Sequence, residues 1–325
     1  MHRRLLGALF SLSILTACSD APGPSQSLET TVRGANAAAI SSDASLALVA
    51  AVDHGGSLWD LQSGERLFDW NHQQGSFTTL NHTRFSRDNL YAVTASPFDM
   101  VLWSTQTGEP QWYWKTPDEI LDIELVGGGN FALLGLANAE AVIFDIQNGG
   151  VLRRMYHPAS VRSVATNADG NLALTGADDY VVRVWDTSTQ TVIIERQYEN
   201  IIDSVALAPN EQFAFSAETL GSAQIWNIAT GELIQSLSGD EWYWPKRVSY
   251  LSARFSNDSS QLLTGSAAGL VQLWDVASGT ELQRWRVATK EAYGPVQTGI
   301  YDVAFGPGNS ISALGSNGIW NRFNR

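Results

Sequence analysis

The chain is poor in the residues on which most catalytic, metal and disulfide arguments rest. Its 325 residues include one cysteine, three methionines and five histidines, and charged residues make up only 16%. A single cysteine excludes a disulfide framework, and none of the five histidines has the spacing of a metal ligand pair. No serine-nucleophile elbow, phosphate-binding glycine loop or calcium loop is present. We therefore predict no catalytic residue, no metal and no cofactor.

Basic residues are also scarce, with 20 Lys and Arg against 33 Asp and Glu. Such a balance opposes binding to nucleic acid, or to anionic lipid, through charge alone. Long helical periodicity is missing as well. Short apolar runs are separated by Gly, Asn, Asp and Ser, which is typical of an all-β protein.

The N-terminus has the pattern of an export signal. Arg3 and Arg4 precede an apolar run from Leu5 to Leu15, which is short for a membrane span. The run ends in Leu15-Thr16-Ala17-Cys18, which resembles the bacterial lipoprotein box, and Cys18 is the only cysteine. The resemblance implies removal of residues 1–17 and lipidation of Cys18, with an ordinary secretory signal as the alternative. Ser19 after the cysteine favours sorting to the outer membrane, facing the periplasm.

The polar, Pro-containing stretch that follows Cys18 is expected to be a flexible tether. It covers 18–27 together with the lipidated cysteine, and a single folded domain then covers 28–325. Loss of residues 1–17 leaves 18 basic and 33 acidic residues, a net charge of −15. This charge keeps a tethered domain soluble, so contact with the membrane is expected through the lipid anchor only.

An aromatic residue followed by a short polar one recurs seven times at the end of an alternating apolar run. The pairs begin at Trp59, Trp103, Phe144, Trp185, Trp226, Trp274 and Phe323, with spacings of 44, 41, 41, 41, 48 and 49 residues. This pattern resembles the WD-repeat family, whose period is about 40–45 residues with four strands per propeller blade. The resemblance implies a single seven-bladed β-propeller of four-stranded antiparallel blades. The last unit lacks a fourth strand, and we expect the segment 27–34 to supply it and close the ring.

The fourth unit contains the family's hydrogen-bonded tetrad. By resemblance, His157 would donate to Asp179, and Thr175 would link His157 to the indole nitrogen of Trp185. These are scaffold positions in the family, so a structural role is favoured over proton transfer. The other units are predicted to lack the set, because Pro97, Asn138, Leu220, Ala268 and Asn317 occupy the position of Asp179 in five of them.

Charged side chains interrupt the expected inner strands. Arg84, Glu124 and Arg254 share a column in which the other units have Ala. Because Arg84 and Glu124 belong to adjacent units, an inter-blade ion pair near the axis is the favoured interpretation. A ligand site in the central funnel is the alternative.

Aromatic residues without a place in the repeat are candidates for partner binding. Four Trp have none, namely Trp112, Trp242, Trp244 and Trp320. The two longest units carry extra chain at 238–250 and 287–299, which propeller topology places side by side on one face. These segments contain the predicted partner-binding residues, which are Trp242, Tyr243, Trp244, Lys246, Arg247 and Tyr293. Rigid aromatics flanked by cations are typical of interface anchors.

The hypothesis that follows is a non-catalytic protein–protein interaction scaffold, anchored by lipid in the bacterial cell envelope, with other envelope proteins as partners. The alternative is a propeller enzyme or small-ligand binder that uses the central funnel.

Overall fold

The structure is a computed structural model, and it describes residues 21–73, 75–237, 248–290 and 297–325. Twenty-eight β-strands in these residues form seven four-stranded antiparallel sheets. The predicted all-β, seven-bladed propeller is confirmed. One 3₁₀ turn is described, at Pro307–Asn309. No helix in the described part of the chain is long and apolar enough to cross a bilayer.

Each blade takes four strands in the order inner, second, third and outer. Blade 1 comprises β2 (Ala35–Ile40), β3 (Leu46–Ala51), β4 (Gly55–Asp60) and β5 (Arg66–Trp70). Blade 2 comprises β6 (His82–Phe85), β7 (Tyr91–Ala95), β8 (Asp99–Ser104) and β9 (Pro110–Lys115). Blade 3 comprises β10 (Ile120–Val126), β11 (Phe131–Leu136), β12 (Glu140–Asp145) and β13 (Val151–Tyr156). Blade 4 comprises β14 (Val161–Thr166), β15 (Leu172–Ala177), β16 (Val181–Asp186) and β17 (Thr191–Gln197).

The remaining blades follow the same order. Blade 5 comprises β18 (Ile202–Leu207), β19 (Phe213–Glu218), β20 (Ala223–Asn227) and β21 (Leu233–Ser236). Blade 6 comprises β22 (Tyr250–Phe255), β23 (Gln261–Ser266), β24 (Leu270–Asp275) and β25 (Glu281–Arg286). Blade 7 comprises β26 (Ile300–Phe305), β27 (Ser310–Gly315), β28 (Ile319–Asn324) and, as its outer strand, β1 (Gln26–Glu29).

Both ends of the chain therefore meet in blade 7. β1 pairs with β28, with Leu28 opposite Trp320, so the N-terminal strand closes the ring as expected. The bound segment begins earlier than the expected boundary at Leu28. The Ser25 amide donates to the Arg322 carbonyl, and the Pro22 carbonyl accepts from the Arg286 amide on the outer edge of blade 6. The segment after Pro22 is thus held against the propeller, because the open edges of β28, the third strand of blade 7, and of β25, the outer strand of blade 6, offer it unpaired backbone groups.

The strand order gives the ring two different faces. One side of the ring is formed by the links from each outer strand to the next inner strand, such as 30–34, and by the turns between second and third strands. We call this side the connecting face. The turn face is the opposite side, formed by the turns between first and second strands, such as 86–90, and between third and fourth strands, such as 61–65.

Blades pack through apolar faces that leave little room. A Cβ on Gly176 of β15 would lie 2.4 Å from Ile202 Cγ2 on the next inner strand, and Gly265 has the same relation to Ile300 at 2.5 Å. The absence of a side chain there lets neighbouring sheets approach closely. The Phe323 and Trp226 rings are fully buried between sheets.

Candidate functional site

A central channel with a volume of about 660 Å³ is formed by the described propeller. Its lining comes from the inner strands, and six of these carry a β-bulge that leaves one residue unpaired. The residues at five of the bulges line the channel, namely Leu121, Arg162, Asp203, Leu251 and Tyr301, and Asn36 at the sixth lines a second cavity that shares four of them. The channel therefore mixes apolar groups with charges of both signs.

Arginine–carboxylate pairs cross the channel wall between blades. Arg84 Nε lies 3.4 Å from Glu124 Oε2, and Arg84 Nη2 lies 3.3 Å from Asp122 Oδ1. The predicted partners are thus adjacent, with Asp122 as a second carboxylate that sequence reasoning missed. Burial alone would lower the pKa of Arg84, but Asp122 and Glu124 raise it. Burial also raises the pKa of Glu124, against the opposing effect of Arg84.

Arg254, which occupies the same inner-strand position as Arg84 and Glu124, also has a carboxylate partner. Arg254 Nη2 lies 2.8 Å from Asp302 Oδ2 and donates to the Ile40 carbonyl at 3.1 Å. Asp302 and Asp122 also link neighbouring blades. Asp302 accepts a hydrogen bond from the Ile40 amide of the next blade at 2.8 Å, and Asp122 accepts one from the Val164 amide at 2.9 Å. These contacts use the charges to hold inner strands together. No group of three His, Cys, Asp or Glu able to hold a metal occurs among the described residues.

The tetrad residues of blade 4 form a shorter chain than expected. Trp185 Nε1 donates to Thr175 Oγ1 at 2.9 Å, and His157 Nε2 lies 2.9 Å from the same oxygen. The Nδ1 atom of His157 donates to the Met155 carbonyl at 3.0 Å. Burial, followed by the charge of Arg183, lowers the pKa of His157 to about 4. His157 is therefore neutral at pH 7 and accepts the Thr175 hydroxyl.

Asp179 does not bond to His157, and this part of the tetrad prediction is wrong. Its carboxylate lies 2.7 Å from Arg183 Nη2, and Arg183 Nε donates to Glu195 at 2.8 Å. Asp179 also accepts the Val181 amide at 3.2 Å. A guanidinium on the neighbouring strand outcompetes an imidazole whose Nδ1–H already has a carbonyl acceptor.

The complete four-residue set lies in blade 2, where it was not expected. His72 Nδ1 bonds the Asp99 carboxylate, His72 Nε2 lies 2.9 Å from Thr94 Oγ1, and Trp103 Nε1 donates to that oxygen at 2.8 Å. The aspartate is Asp99 at the start of β8, two residues beyond Pro97. The prediction that other blades lack the set is therefore wrong for blade 2.

A hydroxyl partner accompanies every tryptophan that ends a third strand. The acceptors are Ser57 for Trp59, Thr94 for Trp103, Thr175 for Trp185, Ser216 for Trp226 and Thr264 for Trp274, at 2.8–2.9 Å. Phenylalanine occupies this position in blades 3 and 7, opposite buried apolar residues. Phe needs no acceptor, whereas a buried indole N–H does. This co-occurrence was available from the sequence.

Trp320 and Trp112, two of the four tryptophans without a place in the repeat, have different environments. Trp320 is 2% exposed and packs in the core between blades 7 and 1, so its candidacy for partner binding is wrong. Trp112 is 42% exposed, and it lies on strand β9 rather than on a loop. It stacks on Trp114, and the neighbouring Tyr113 is also exposed. The outer edge of blade 2 is thus unusually aromatic.

Several predicted residues lie outside the described residues. They are Cys18 and the candidate partner-binding residues Trp242, Tyr243, Trp244, Lys246, Arg247 and Tyr293. The connections that contain the last six leave β21 and β25 on the connecting face and re-enter at β22 and β26. The lipid anchor and the partner-binding role of these residues stay predictions.

Comparison with known proteins gives a family match for two of the seven units. The model for the WD domain, G-beta repeat, matches residues 150–186 and 231–275. Each segment runs from the outer strand of one blade to the third strand of the next. The sequence repeat is therefore offset by one strand from the blade, which is why an N-terminal strand completes the last blade.

The relatives are eukaryotic proteins with modest identity. The chain is 26% identical over 177 residues to the pre-mRNA-processing factor 19 homolog 2 of Arabidopsis thaliana, covering 53% of this chain and 33% of that protein. It is 26% identical over 132 residues to the small ribosomal subunit protein RACK1 of Medicago sativa, covering 37% and 40% of the two. It is 24% identical over 305 residues to the angio-associated migratory cell protein of Pongo abelii, covering 76% and 68%. The chain thus spans less than half the length of the first two relatives, and it is similar to WD-repeat proteins in two matched repeats and in its propeller fold.

Proposed function

We propose that the protein is a non-catalytic interaction scaffold of the bacterial cell envelope. A diacylglycerol on Cys18 tethers it to the outer membrane with the propeller in the periplasm, and its partners are other envelope proteins. The lipobox-like sequence that ends at the only cysteine supports the anchor. The WD-type repeats support the scaffold role, since many propellers of this type present rigid binding surfaces.

The aromatic edge of blade 2 is the observation that carries this proposal. Edge strands expose unpaired N–H and C=O groups, and β9 adds Trp112 and Tyr113 on its two faces. Tyr113 contacts the His72 ring edge-on, and Trp112 stacks on Trp114, so both side chains are already oriented. Pre-oriented aromatics bind with little loss of conformational entropy.

The partner class that fits this edge is an extended segment of another envelope protein. Such a segment would add to β9 through backbone hydrogen bonds and place apolar side chains against the two rings. The propeller already uses an outer edge in this way, because the Pro22 carbonyl accepts the Arg286 amide on the edge of blade 6.

Replacing both Trp112 and Tyr113 by Ala tests the proposal. Partners crosslinked to the lipidated protein in envelope membranes should be lost, with a weakening of at least about 2 kcal/mol, roughly thirtyfold in Kd. The melting temperature should change little because both side chains are exposed. Leu282→Ala is the matched control, since Leu282 is an exposed apolar residue on the outer strand of blade 6.

The same partners recovered with both variants would refute the β9 site. Loss of partners with Arg84→Met or Arg254→Met at an unchanged melting temperature, but not with the β9 variant, would move the partner site to the central channel.

A further inference from the structure

We infer that the connecting face of the propeller lies against the membrane and that the turn face points away from it. This orientation rests on the proposed lipid anchor at Cys18. It goes further by assigning a bilayer surface as the occupant of one face, and so it departs from the expectation that only the lipid contacts the membrane. Three observations on the described residues support it: the place where the tether meets the propeller, the distribution of exposed apolar side chains, and the charge of the turn face.

The tether joins the propeller at the connecting-face end of blade 6. Arg286 is the last residue of β25 and pairs with Leu270, the first residue of β24, so this end of the strand is next to the connecting face. The Arg286 amide binds the Pro22 carbonyl at 3.0 Å. Only four residue steps separate Pro22 from Cys18, and a fully extended chain spans at most roughly 14 Å over that length. A lipid on Cys18 would therefore hold this edge of the propeller close to the bilayer.

The link that follows β1 belongs to the same region. Lys290 Nζ donates to the Thr31 and Val32 carbonyls at 2.6 and 2.8 Å and lies 2.9 Å from Glu29 Oε1. These contacts fix the link 30–34 against the end of blade 6. Val32 is nevertheless 78% exposed, so it projects from the connecting face near the tether.

Exposed apolar side chains are concentrated on the connecting face. Seven of the large exposed hydrophobic residues in the described chain lie there, at Val32, Val52, Phe77, Phe98, Tyr156, Tyr180 and Leu220. The turn face carries two by the same criterion, since Leu90 lies in one of its turns and Leu233 begins β21 at that face, as Tyr156 ends β13 at the connecting face. The others lie within outer strands or at the mouth of the channel. Apolar groups spread over one face gain free energy by entering the interfacial region of a bilayer.

The turn face is the more acidic of the two, although the connecting face also has carboxylates, among them Asp53, Asp178 and Asp179. Aspartates begin four of its turns between third and fourth strands, and hydrogen bonds from residues two and three places further on lower the pKa of each: these are Asp60, Asp145, Asp186 and Asp275. Hydrogen bonds from Ser256 and Ser260 lower the pKa of Asp258 on the same face to about 2. A lowered pKa keeps these carboxylates ionised to lower pH, and a face rich in them is repelled by anionic lipid headgroups.

Site-specific fluorescence on the lipidated full chain tests this orientation. Because Cys18 is the only cysteine, a cysteine added elsewhere is the only free thiol once the Cys18 sulfur carries the diacylglycerol as a thioether. Val32→Cys and Val52→Cys place a thiol-reactive dye on the connecting face, and Leu90→Cys places it on the turn face. Val52 and Leu90 are exposed Val and Leu residues of adjacent blades, so they form a matched pair. The proteins are reconstituted in phosphatidylethanolamine–phosphatidylglycerol vesicles with nitroxide-labelled headgroups.

We expect quenching at Val32→Cys and Val52→Cys to exceed that at Leu90→Cys several-fold. Equal quenching at the three positions, or stronger quenching at Leu90→Cys, would overturn the orientation. Absence of quenching from the connecting face in vesicles that contain no other protein would also overturn it and would leave that face to a protein partner. Flotation of the same samples, with Cys18→Ser as the unanchored control, reports separately on the anchor. A protein that floats but lacks the contrast refutes the orientation alone, whereas one that does not float refutes the anchor.

Discussion

Mild acid should destabilise the propeller through His157, whose buried neutral ring connects two structural elements. The ring joins the link after β13 to Thr175 on β15, and through it to the Trp185 indole. Protonation of Nε2 would replace an acceptor by a donor next to the Thr175 hydroxyl and would place a charge near Arg183. Both effects disfavour the charged form in the folded state.

The size of the effect follows from the two pKa values. Burial and Arg183 lower the pKa of His157 from 6.5 to about 4 in the folded protein, whereas the unfolded chain keeps the ordinary value. The unfolded state therefore takes up the proton first as the pH falls. The stability from the neutral ring is fully present above pH 6.5 and is lost progressively between pH 6.5 and about 4. A difference of about 2.5 pKa units amounts to roughly 3 kcal/mol.

Urea unfolding of the wild-type protein and of His157→Gln, at pH values from 7.5 to 4.5, measures this contribution. Gln keeps a donor and an acceptor without a titrating group, so its free energy of unfolding should fall less over this range. The difference between the two proteins isolates His157, because the titrations of Asp203, Glu124 and other carboxyls are common to both. His72, whose pKa burial also lowers, is a second source of the same slope, and His72→Gln is the parallel variant. A His157→Gln protein with an unchanged dependence on pH would refute the reasoning.

Two further predictions concern the ring. Arg84→Leu should lower the melting temperature more than Glu124→Leu. Loss of Glu124 leaves Arg84 paired with Asp122, whereas loss of Arg84 leaves two carboxylates facing each other. A larger drop in melting temperature for Glu124→Leu would contradict this assignment of the pairs. Deleting 22–29 should cost far more stability than deleting 19–21, since only the first removes the outer strand of blade 7; equal melting temperatures would show that β1 does not hold the ring closed.

The propeller could be predicted from the sequence because its period has a physical cause. A four-stranded sheet has two apolar faces, and only radial stacking on like sheets covers both. The repeated aromatic at the end of each third strand marks that stacking, and the missing fourth strand after Phe323 indicates closure from the other terminus. The start of the outer strand was less predictable, because Pro22 and Ser25 are held by backbone groups that no side-chain pattern reveals.

The hydrogen-bonded side-chain networks inside the blades were harder to predict from the sequence. Asp179 is six residues before Trp185, and the same count back from Trp103 gives Pro97, whereas the carboxylate of blade 2 is only four residues before Trp103. Asp99 supplies it from the start of β8. In blade 4 the expected carboxylate of Asp179 is present, but it pairs with Arg183 instead of His157. Which partner wins depends on side-chain geometry across strands, and sequence spacing does not contain that information.

The distribution of polar contacts also separates the side chains that stabilise the fold from those that are free to bind another molecule. Aspartates of the turn face are held by their own turns, the channel arginines are paired with carboxylates, and the indole groups at the ends of third strands have hydroxyl acceptors. These groups are committed to the fold, and changing them should alter stability before binding. Exposed apolar side chains of the connecting face and the aromatic edge of β9 contribute nothing comparable to packing. A propeller that keeps such groups in water gains from them only through contact with another surface. The proposed orientation on a bilayer and the proposed partner segment at β9 would each supply such a contact.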